Sequence, residues 1–338
     1  MLHVRIFAYS CPQIANVPFM NRTQSALFGR VRLYSRIAVA AATLLSIIFS
    51  SSLGSDSLNW QVVMAAIALA VGIPHGALDH LVTLKNAAPL KMTIFILIYV
   101  ATALVAIWAI LQWNVWGFIA VVLMSSLHFG IGDSAFIAEL DRLENREGSA
   151  IPVWAYAGAA GLLPVVIPLV NSRSTEALEK INSNLINWHF GYTEQIQLAV
   201  SAIAILSLII LTIRKRYNEV LDLSLLAALA LFAPPLVAFA VYFGCWHAMR
   251  HTARLTSLLP RSQRAYKQGN ELAAFRSAVV PGLPALVGTI IFVVGLAAFS
   301  DQALDNSFLW LALVTVWALT VPHMIVTAKL DRAAFTSK

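Results

Sequence analysis

Charged side chains are scarce in this sequence: Asp, Glu, Lys and Arg together supply 12% of its 338 residues, against roughly 25% in soluble domains. Residues of the apolar set supply 59%, and a soluble fold could not bury that much apolar surface. The basic residues lie between long apolar runs, so the net charge of +7 does not indicate a nucleic-acid-binding face. The composition therefore predicts a membrane protein.

Cysteine is almost absent as well. Cys11 and Cys245 are the only two, which excludes a disulfide framework and a cluster of metal-binding thiolates. Every lysine lies outside the apolar runs or at their ends, which disfavours a receptor that holds retinal through a Schiff base. The first 36 residues contain five arginines and no apolar core ending in a small-residue cleavage site, so they do not resemble a secretory signal. We expect residues 1–36 to form a disordered cytoplasmic extension and 37–330 a single transmembrane domain.

Long apolar runs are abundant, and most of them reach or approach the roughly 20 residues that a helix needs to cross a bilayer. The weakest, 220–233, ends at a pair of prolines and is either a short span or a re-entrant segment. The pattern predicts an all-α fold, a polytopic transmembrane helical bundle of about ten spans, with eight as the lower bound. The runs are 37–53, 60–84, 92–112, 115–138, 150–170, 196–213, 220–233, 235–257, 279–299 and 307–327.

Basic residues are concentrated in every second turn between these runs, which is the positive-inside pattern when 220–257 counts as two passes. This pattern places both termini in the cytoplasm and the protein in the cell membrane. The loop 171–195, on the opposite side, mixes acidic, basic and aromatic residues. Such a mixture predicts a short helix lying in the outer interface.

Six of the eight histidines lie within the apolar runs. A polar side chain at that depth is energetically costly, so it must face a partner, a cavity or a metal. All six are on runs that cross from the outer to the inner side, roughly 2–12 Å to the cytoplasmic side of the midplane at 1.5 Å per residue. Imidazoles from four helices therefore meet in one layer, where they suit Fe, Zn, Cu or Ni. These residues are His75, His80, His128, His247, His251 and His323.

Two of the runs carry histidines in pairs. His247 and His251 are four residues apart, so both can face one ion from the same side of an α-helix. His75 and His80 are five residues apart and point about 140° away from each other on a regular helix. We therefore expect one of them to bind, unless Pro74 and Gly76 distort the helix. We favour His75, because Asp79 shares its face and could orient a neighbouring imidazole. His80 would then form a hydrogen bond at the edge of the site.

The remaining two histidines occur singly. His128 is close to Gly130 and Gly132, which permit close approach of another helix, and to Asp133, a candidate to orient an imidazole. His323 lies at the cytoplasmic end of the layer, and we place it at the cavity wall or in contact with a ligand rather than with the metal. The proposed metal ligands are His75, His128, His247 and His251, and the supporting residues are Asp79, His80, Asp133 and His323.

Three motifs together resemble those of the Brp/Blh family of β-carotene 15,15'-dioxygenases, over about residues 60–327. They are Pro-His-Gly-Ala-Leu-Asp-His at 74–80, His-Phe-Gly-Ile-Gly-Asp at 128–133 and Trp-His-Ala-Met-Arg-His at 246–251. The resemblance implies an integral-membrane enzyme that uses non-haem Fe(2+) and O2 to split β-carotene at its central double bond into two molecules of retinal. It also implies that the four proposed ligands hold the iron, with no catalytic residue expected beyond the metal centre.

The physical reading agrees with this chemistry. A long apolar polyene resides in the bilayer, where an intramembrane cavity can reach its central bond. A ferrous ion held by four imidazoles keeps one or two coordination positions open for O2. Aromatic residues near the motifs are candidates to line a polyene tunnel, although packing in the core or against lipid explains each of them equally well: Phe129, Tyr242, Phe243 and Trp246.

Three other functions use similar residues. Haem can be held by paired intramembrane histidines on different helices. The histidine pairs also resemble parts of the histidine boxes of membrane di-iron desaturases and hydroxylases, which need more ligands than these six residues readily provide. A divalent-metal or proton-coupled transporter also places His and Asp within the membrane. Transport predicts ligands in both halves of the membrane, whereas these histidines stay in the inner half.

Overall fold

The architecture is helical throughout the residues that the computed structural model describes, which are 18–54, 57–84, 87–146, 152–171, 178–179, 181–299 and 306–336. This confirms the predicted all-α fold. We number the helices α1 Pro18–Leu53, α2 Leu58–Gly72, α3 Pro89–Gln112, α4 Asn114–Leu143, α5 Val153–Val166, α6 Thr193–Ile213, α7 Tyr217–Phe232, α8 Pro235–Val241, α9 Pro260–Lys267, α10 Glu271–Val279, α11 Leu283–Phe299 and α12 Asn306–Thr336.

Two of these helices continue in other helical forms. A 3-10 turn, Ile73–Leu78, and a short α segment, Asp79–Thr83, extend α2. A π-helical segment, Tyr242–Ala248, and an α segment, Met249–Thr256, extend α8. Shorter 3-10 turns occur at Ile167–Val170, Ser183–Leu185 and Val280–Gly282.

Eight helical stretches in the described residues are long and apolar enough to cross a membrane. They are α1 to α6, the joined pair α10 and α11, and α12, which agrees with the lower end of the predicted eight to ten spans. The other two predicted spans correspond to α7, with 16 residues, and to the extended α8. The last segment of α8 carries Arg250 and Arg254, and these charges lower its hydropathy.

The N-terminal boundary differs from the prediction. The disordered extension expected for residues 1–36 is wrong for 18–36, because α1 begins at Pro18 and is 36 residues long. Residues 1–17 lie outside the described residues. So do parts of the loop 171–195, and the interfacial helix expected there stays a prediction.

Buried ion pairs explain why the arginine-rich segment is helical. Arg32 lies 2.7 Å from Glu219 and 2.9 Å from Asp222, both on α7, and all three side chains are buried. Arg36 lies 2.6 Å from the second oxygen of Asp222. Breaking such a pair leaves a buried charge without compensation, which costs about 3–5 kcal/mol. The arginines therefore fasten α1 to α7 instead of marking a solvated tail.

Buried arginines also hold the end of α8 that we expect to lie toward the cytoplasm, the segment Met249–Thr256. Arg250 is buried with its guanidinium 3.6 Å above the ring of Trp246 and 3.4 Å from Asp222. Arg254 lies 2.9 Å from Glu139 on α4 and 2.6 Å from Asp331 on α12. These contacts fix the rotation of α8 about its axis.

The helices α4 and α5 pack in close contact. A Cβ at Gly130 would lie 2.0 Å from the carbonyl oxygen of Ala157, so only glycine fits there. The close approach predicted from this glycine is confirmed. Together with α2, α8 and α12, these helices form the centre of the bundle.

Candidate metal centre

Five imidazoles lie together at the centre of the bundle. The ring centroids of His75 and His323 are 4.8 Å apart, and those of His128 and His247 are 4.9 Å apart. His251 lies 5.3 Å from His323 and 6.0 Å from His247 by the same measure. All five side chains are buried. They come from α2, α4, α8 and α12, so residues far apart in sequence share one small volume.

A change of helix type positions His75. It lies in the 3-10 turn that begins after Gly72, and its Nδ1 forms a hydrogen bond with the Gly72 carbonyl. The Nε2 atom is buried and has no hydrogen-bond partner among the described residues. His80, which the sequence placed at the edge of the site, lies outside the five-imidazole cluster, half-buried against Phe95 and Pro281.

A second change of helix type positions His247. It lies within the π-helical segment, and such segments are rare and concentrated at functional sites. Its ring is nearly parallel to that of His251, at an angle of 17°. A Cβ at Gly132 would lie 2.7 Å from Cε1 of His247, so this glycine makes room for the imidazole.

Asp133 lies beside the imidazole of His247, on the side of Nδ1. One of its oxygens accepts hydrogen bonds from Trp246 Nε1 at 2.7 Å and from the Tyr242 hydroxyl at 3.2 Å. Its other oxygen lies 3.5 Å from Nδ1 of His247, which is longer than a normal hydrogen bond. The carboxylate is therefore held by two aromatic residues and faces the imidazole from one side.

The tunnel lining stays a prediction, and the four aromatic candidates differ in what they contact. Tyr242 and Trp246 do not line the cavity beside the histidines, because their polar atoms are directed to Asp133. Phe129 packs on the ring of His247 at 4.6 Å between centroids and also lies outside that lining. Of the four aromatic candidates, Phe243 borders this cavity.

His323 has a more central position than the sequence suggested. It does line the cavity wall, and its ring also faces those of His75, His128 and His251. Its Nδ1 lies 3.0 and 2.9 Å from the two oxygens of Asp79. A carboxylate can only accept, so this nitrogen carries a proton, and in the neutral imidazole Nε2 then keeps its lone pair. This is the geometry that orients histidine ligands in metal sites.

Sequence reasoning missed Tyr99, on α3. Its hydroxyl donates to Oδ2 of Asp79 at 3.0 Å, so Asp79 connects the tyrosine to His323. A hydroxyl within an otherwise apolar run must find a partner when it is buried, which was the available signal. The sequence alone could not name that partner.

The donor atoms of the cluster fit a metal that prefers imidazole. Buried nitrogens without a hydrogen-bond partner in the described residues occur on all five rings, and each would cost about 1–3 kcal/mol if nothing bound it. In the described part of the chain, no three His, Cys, Asp or Glu side chains have their ligating atoms already placed around one metal position. An all-imidazole set suits Fe, Zn, Cu or Ni.

The cluster borders a cavity of about 160 Å³, which we call the histidine cavity. His75, His128 and His323 form its polar wall, and most of the other lining residues are apolar, with Phe243 and Val316 among them. A second cavity of about 270 Å³, which we call the lateral cavity, lies next to it between α3 and the start of α11. The lining of the lateral cavity is mostly apolar, with Asp79 and His80 as its ionisable residues.

Comparison with known proteins gives consistent results. The family model described as Beta-carotene 15,15'-dioxygenase matches residues 66–331. A relative named Beta-carotene 15,15'-dioxygenase, from an uncultured marine bacterium, is 30% identical over 287 residues, which cover 81% of this chain and 94% of the relative. A relative named Probable beta-carotene 15,15'-dioxygenase Blh, from Halobacterium salinarum, is 24% identical over 297 residues, covering 80% and 84%. No solved structure matches the chain significantly.

Proposed function

Because the chain belongs to the β-carotene 15,15'-dioxygenase family, we propose that it cleaves β-carotene, or a related carotenoid, at the central 15,15' double bond. O2 is the second substrate, and two molecules of retinal are the products. The observation that carries the proposal is the histidine cavity, an apolar space inside a membrane bundle with His75, His128 and His323 on one wall. An apolar polyene and a metal centre can meet there.

The cofactor we propose is Fe(2+), held by His75, His128, His247 and His251. His323 is a fifth candidate ligand, because its Nε2 is buried and unpartnered and its Nδ1 is held by Asp79. When bound, iron supplies the binding and activation of O2 beside the polyene. Loss of bound iron in a His323→Ala variant would identify this residue as a fifth ligand, and retained iron would leave the set at four.

The protein's own residues prepare this site. Nδ1 of His75 donates a hydrogen bond to the Gly72 carbonyl, and in the neutral imidazole this leaves the lone pair of Nε2 free to bind a metal. Asp79 accepts the corresponding hydrogen bond from His323. Phe243 and the other apolar residues of the histidine cavity exclude water, which protects reactive oxygen species from side reactions.

We place the protein in the cell membrane with both termini on the cytoplasmic side. The eight apolar helices support membrane insertion, and the alternation of basic turns supports the orientation. Lipid surrounds the bundle and is the reservoir of the carotenoid. A tag placed at either terminus is therefore expected to be accessible from the cytoplasm.

The first experiment expresses the chain in cells that accumulate β-carotene and measures retinal by chromatography of extracted pigment. A His247→Ala variant serves as the inactive control, and both proteins are purified for elemental analysis. Retinal and bound iron in the wild type, with both lost in the variant, are the expected results. Intact β-carotene in wild-type cells that contain the iron-loaded protein would contradict the proposed reaction.

A further inference from the structure

The histidine cavity and the lateral cavity share part of their walls. Both are lined by Gly76 and Ala77 from the 3-10 turn of α2, by Tyr99 from α3 and by Ala285 from α11. Four common residues from three elements mean that the cavities adjoin each other along this part of their walls. We call these four residues the junction. Side chains at the junction decide what can pass from one cavity to the other.

The far end of the lateral cavity opens on the outside of the bundle. It is lined there by Ile96 and Val100, whose side chains are exposed over 46% and 48% of their surface. Pro281 and Pro284 face them from the other wall. The α3 segment around these residues is among the most apolar of the eight candidate spans, so the exposed surface is a lipid-facing one. The opening is therefore toward the acyl chains of the bilayer rather than toward water.

Tyr99 lies at the junction, and its hydroxyl is held by a hydrogen bond. The hydrogen bond to Asp79, at 3.0 Å, fixes the ring in the wall that the two cavities share. Asp79 in turn holds His323, so a single carboxylate fastens both the junction and an imidazole of the cluster. Rotation of the Tyr99 ring requires this hydrogen bond to break.

We propose that the lateral cavity is the route by which the carotenoid reaches the histidine cluster sideways from the bilayer, with Tyr99 as the gate of that route. The inference rests on the proposed function, since it assigns the path of that same substrate. A polyene dissolved in the acyl chains would then slide between α3 and α11 without passing through the aqueous interface. Tyr99 sets the ease of passage, and both oxygens of Asp79 remain beside Nδ1 of His323 when the Tyr99 ring moves.

The route is tested from the wall opposite to Tyr99. Ala285→Phe adds bulk at the junction and leaves Asp79, Tyr99 and the imidazoles unchanged. The matched control is Val287→Phe, on the same helix but with 55% of its side chain exposed. We expect kcat/KM for β-carotene to fall about tenfold or more in Ala285→Phe, because overfilling a packed site is costly. The kcat value and the bound iron should be retained, and the control should behave as wild type.

The role of Tyr99 as a gate is tested by removing its hydrogen bond to Asp79. Tyr99→Phe keeps the ring and abolishes the hydrogen bond to Asp79, so the ring moves more freely. We expect kcat/KM for β-carotene to rise and the bound iron to be retained, because Asp79 still contacts Nδ1 of His323 through both oxygens. Loss of iron in this variant would instead show that Tyr99 acts on His323 through Asp79, and it would overturn the gate.

The outcomes separate this inference from the proposed function. Wild-type protein that forms no retinal contradicts the reaction itself. Wild-type protein that forms retinal, together with an Ala285→Phe variant of unchanged kcat/KM, leaves the reaction standing and overturns the lateral route. An equal loss in Val287→Phe would also overturn it, because the effect would then not depend on the junction.

Discussion

Asp79 and His323 are 244 residues apart in the sequence, and the imidazole Nδ1 lies 2.9 and 3.0 Å from the two carboxylate oxygens. The pair joins the end of α2 to α12. It also directs Nε2 of His323 away from Asp79 and toward the other imidazoles. His323 lies outside the three sequence motifs, and this contact places its ring beside the histidines that the motifs contain.

Replacing Asp79 should weaken metal binding without removing a ligand. In Asp79→Asn the amide no longer fixes the orientation of His323 as a carboxylate does, and such changes cost about 10–100-fold in metal affinity. The measurement is an iron titration of the purified protein in detergent, with retinal formation recorded in parallel. Unchanged iron affinity in a folded variant would mean that the orientation of His323 has no influence on the metal.

His323 and His80 form a matched pair for substitution, since both lie on apolar segments and only one faces the cluster. We expect His323→Ala to lose most of its bound iron and its retinal formation. His80→Ala should retain both, because its side chain lies outside the cluster. The same comparison applies to His75→Ala, which should be more severe than His80→Ala. If His80→Ala proved the more damaging variant of that pair, the assignment of His75 as a ligand would be wrong.

Gly132 offers a test that leaves every histidine in place. A Cβ at this position would lie 2.7 Å from Cε1 of His247, so Gly132→Ala should displace the imidazole. We expect reduced iron content and reduced retinal formation in a protein that still inserts and folds. Gly288→Ala is the control, because a Cβ there meets nothing within 4 Å. Wild-type iron content in Gly132→Ala would show that the position of His247 is not critical.

Trp246 should contribute to stability through Asp133. Trp246→Phe removes the 2.7 Å hydrogen bond to this buried carboxylate, and hydrogen bonds to charged groups are worth about 1.5–3 kcal/mol. We expect a lower midpoint of thermal unfolding in detergent. Trp154→Phe is the matched control, since 70% of that side chain is exposed. Equal midpoints for the two variants would contradict the role of the hydrogen bond.

Apolar length and motif order predicted the helical class, the principal spans and the histidines that meet at the centre. These features depend on local composition, which is readable without knowledge of packing. The arginines before residue 37 led to a wrong prediction of disorder for 18–36, because their partners, Glu219 and Asp222, are on α7. Charge in a short segment indicates solvation only when no buried carboxylate faces it, and the pairing is a long-range property.

The type of helix was the second feature that the sequence did not predict. The angular argument for His75 and His80 held for a regular α-helix, with distortion by Pro74 and Gly76 as the exception, and His75 does lie in a 3-10 turn that contains both residues. The argument for His247 assumed a regular α-helix, and the residue lies in a π-helical segment. Neither form has a reliable pattern in a single sequence, because both arise from packing against neighbouring helices. The partner of Tyr99 was hidden for a similar reason.

The π-helical segment Tyr242–Ala248 also separates two properties of α8. A π turn accommodates one residue more than an α turn, so the segment absorbs one extra residue by widening locally. His247 lies inside the widened segment, whereas His251 and Arg254 lie in the α segment that follows it. Removal of one residue from Tyr242–Ala248 would therefore restore α-helical geometry and displace His247, while Arg254 would keep its orientation toward Glu139 and Asp331. A change of length in this segment can thus alter one imidazole and leave the ion pairs of the same helix in place.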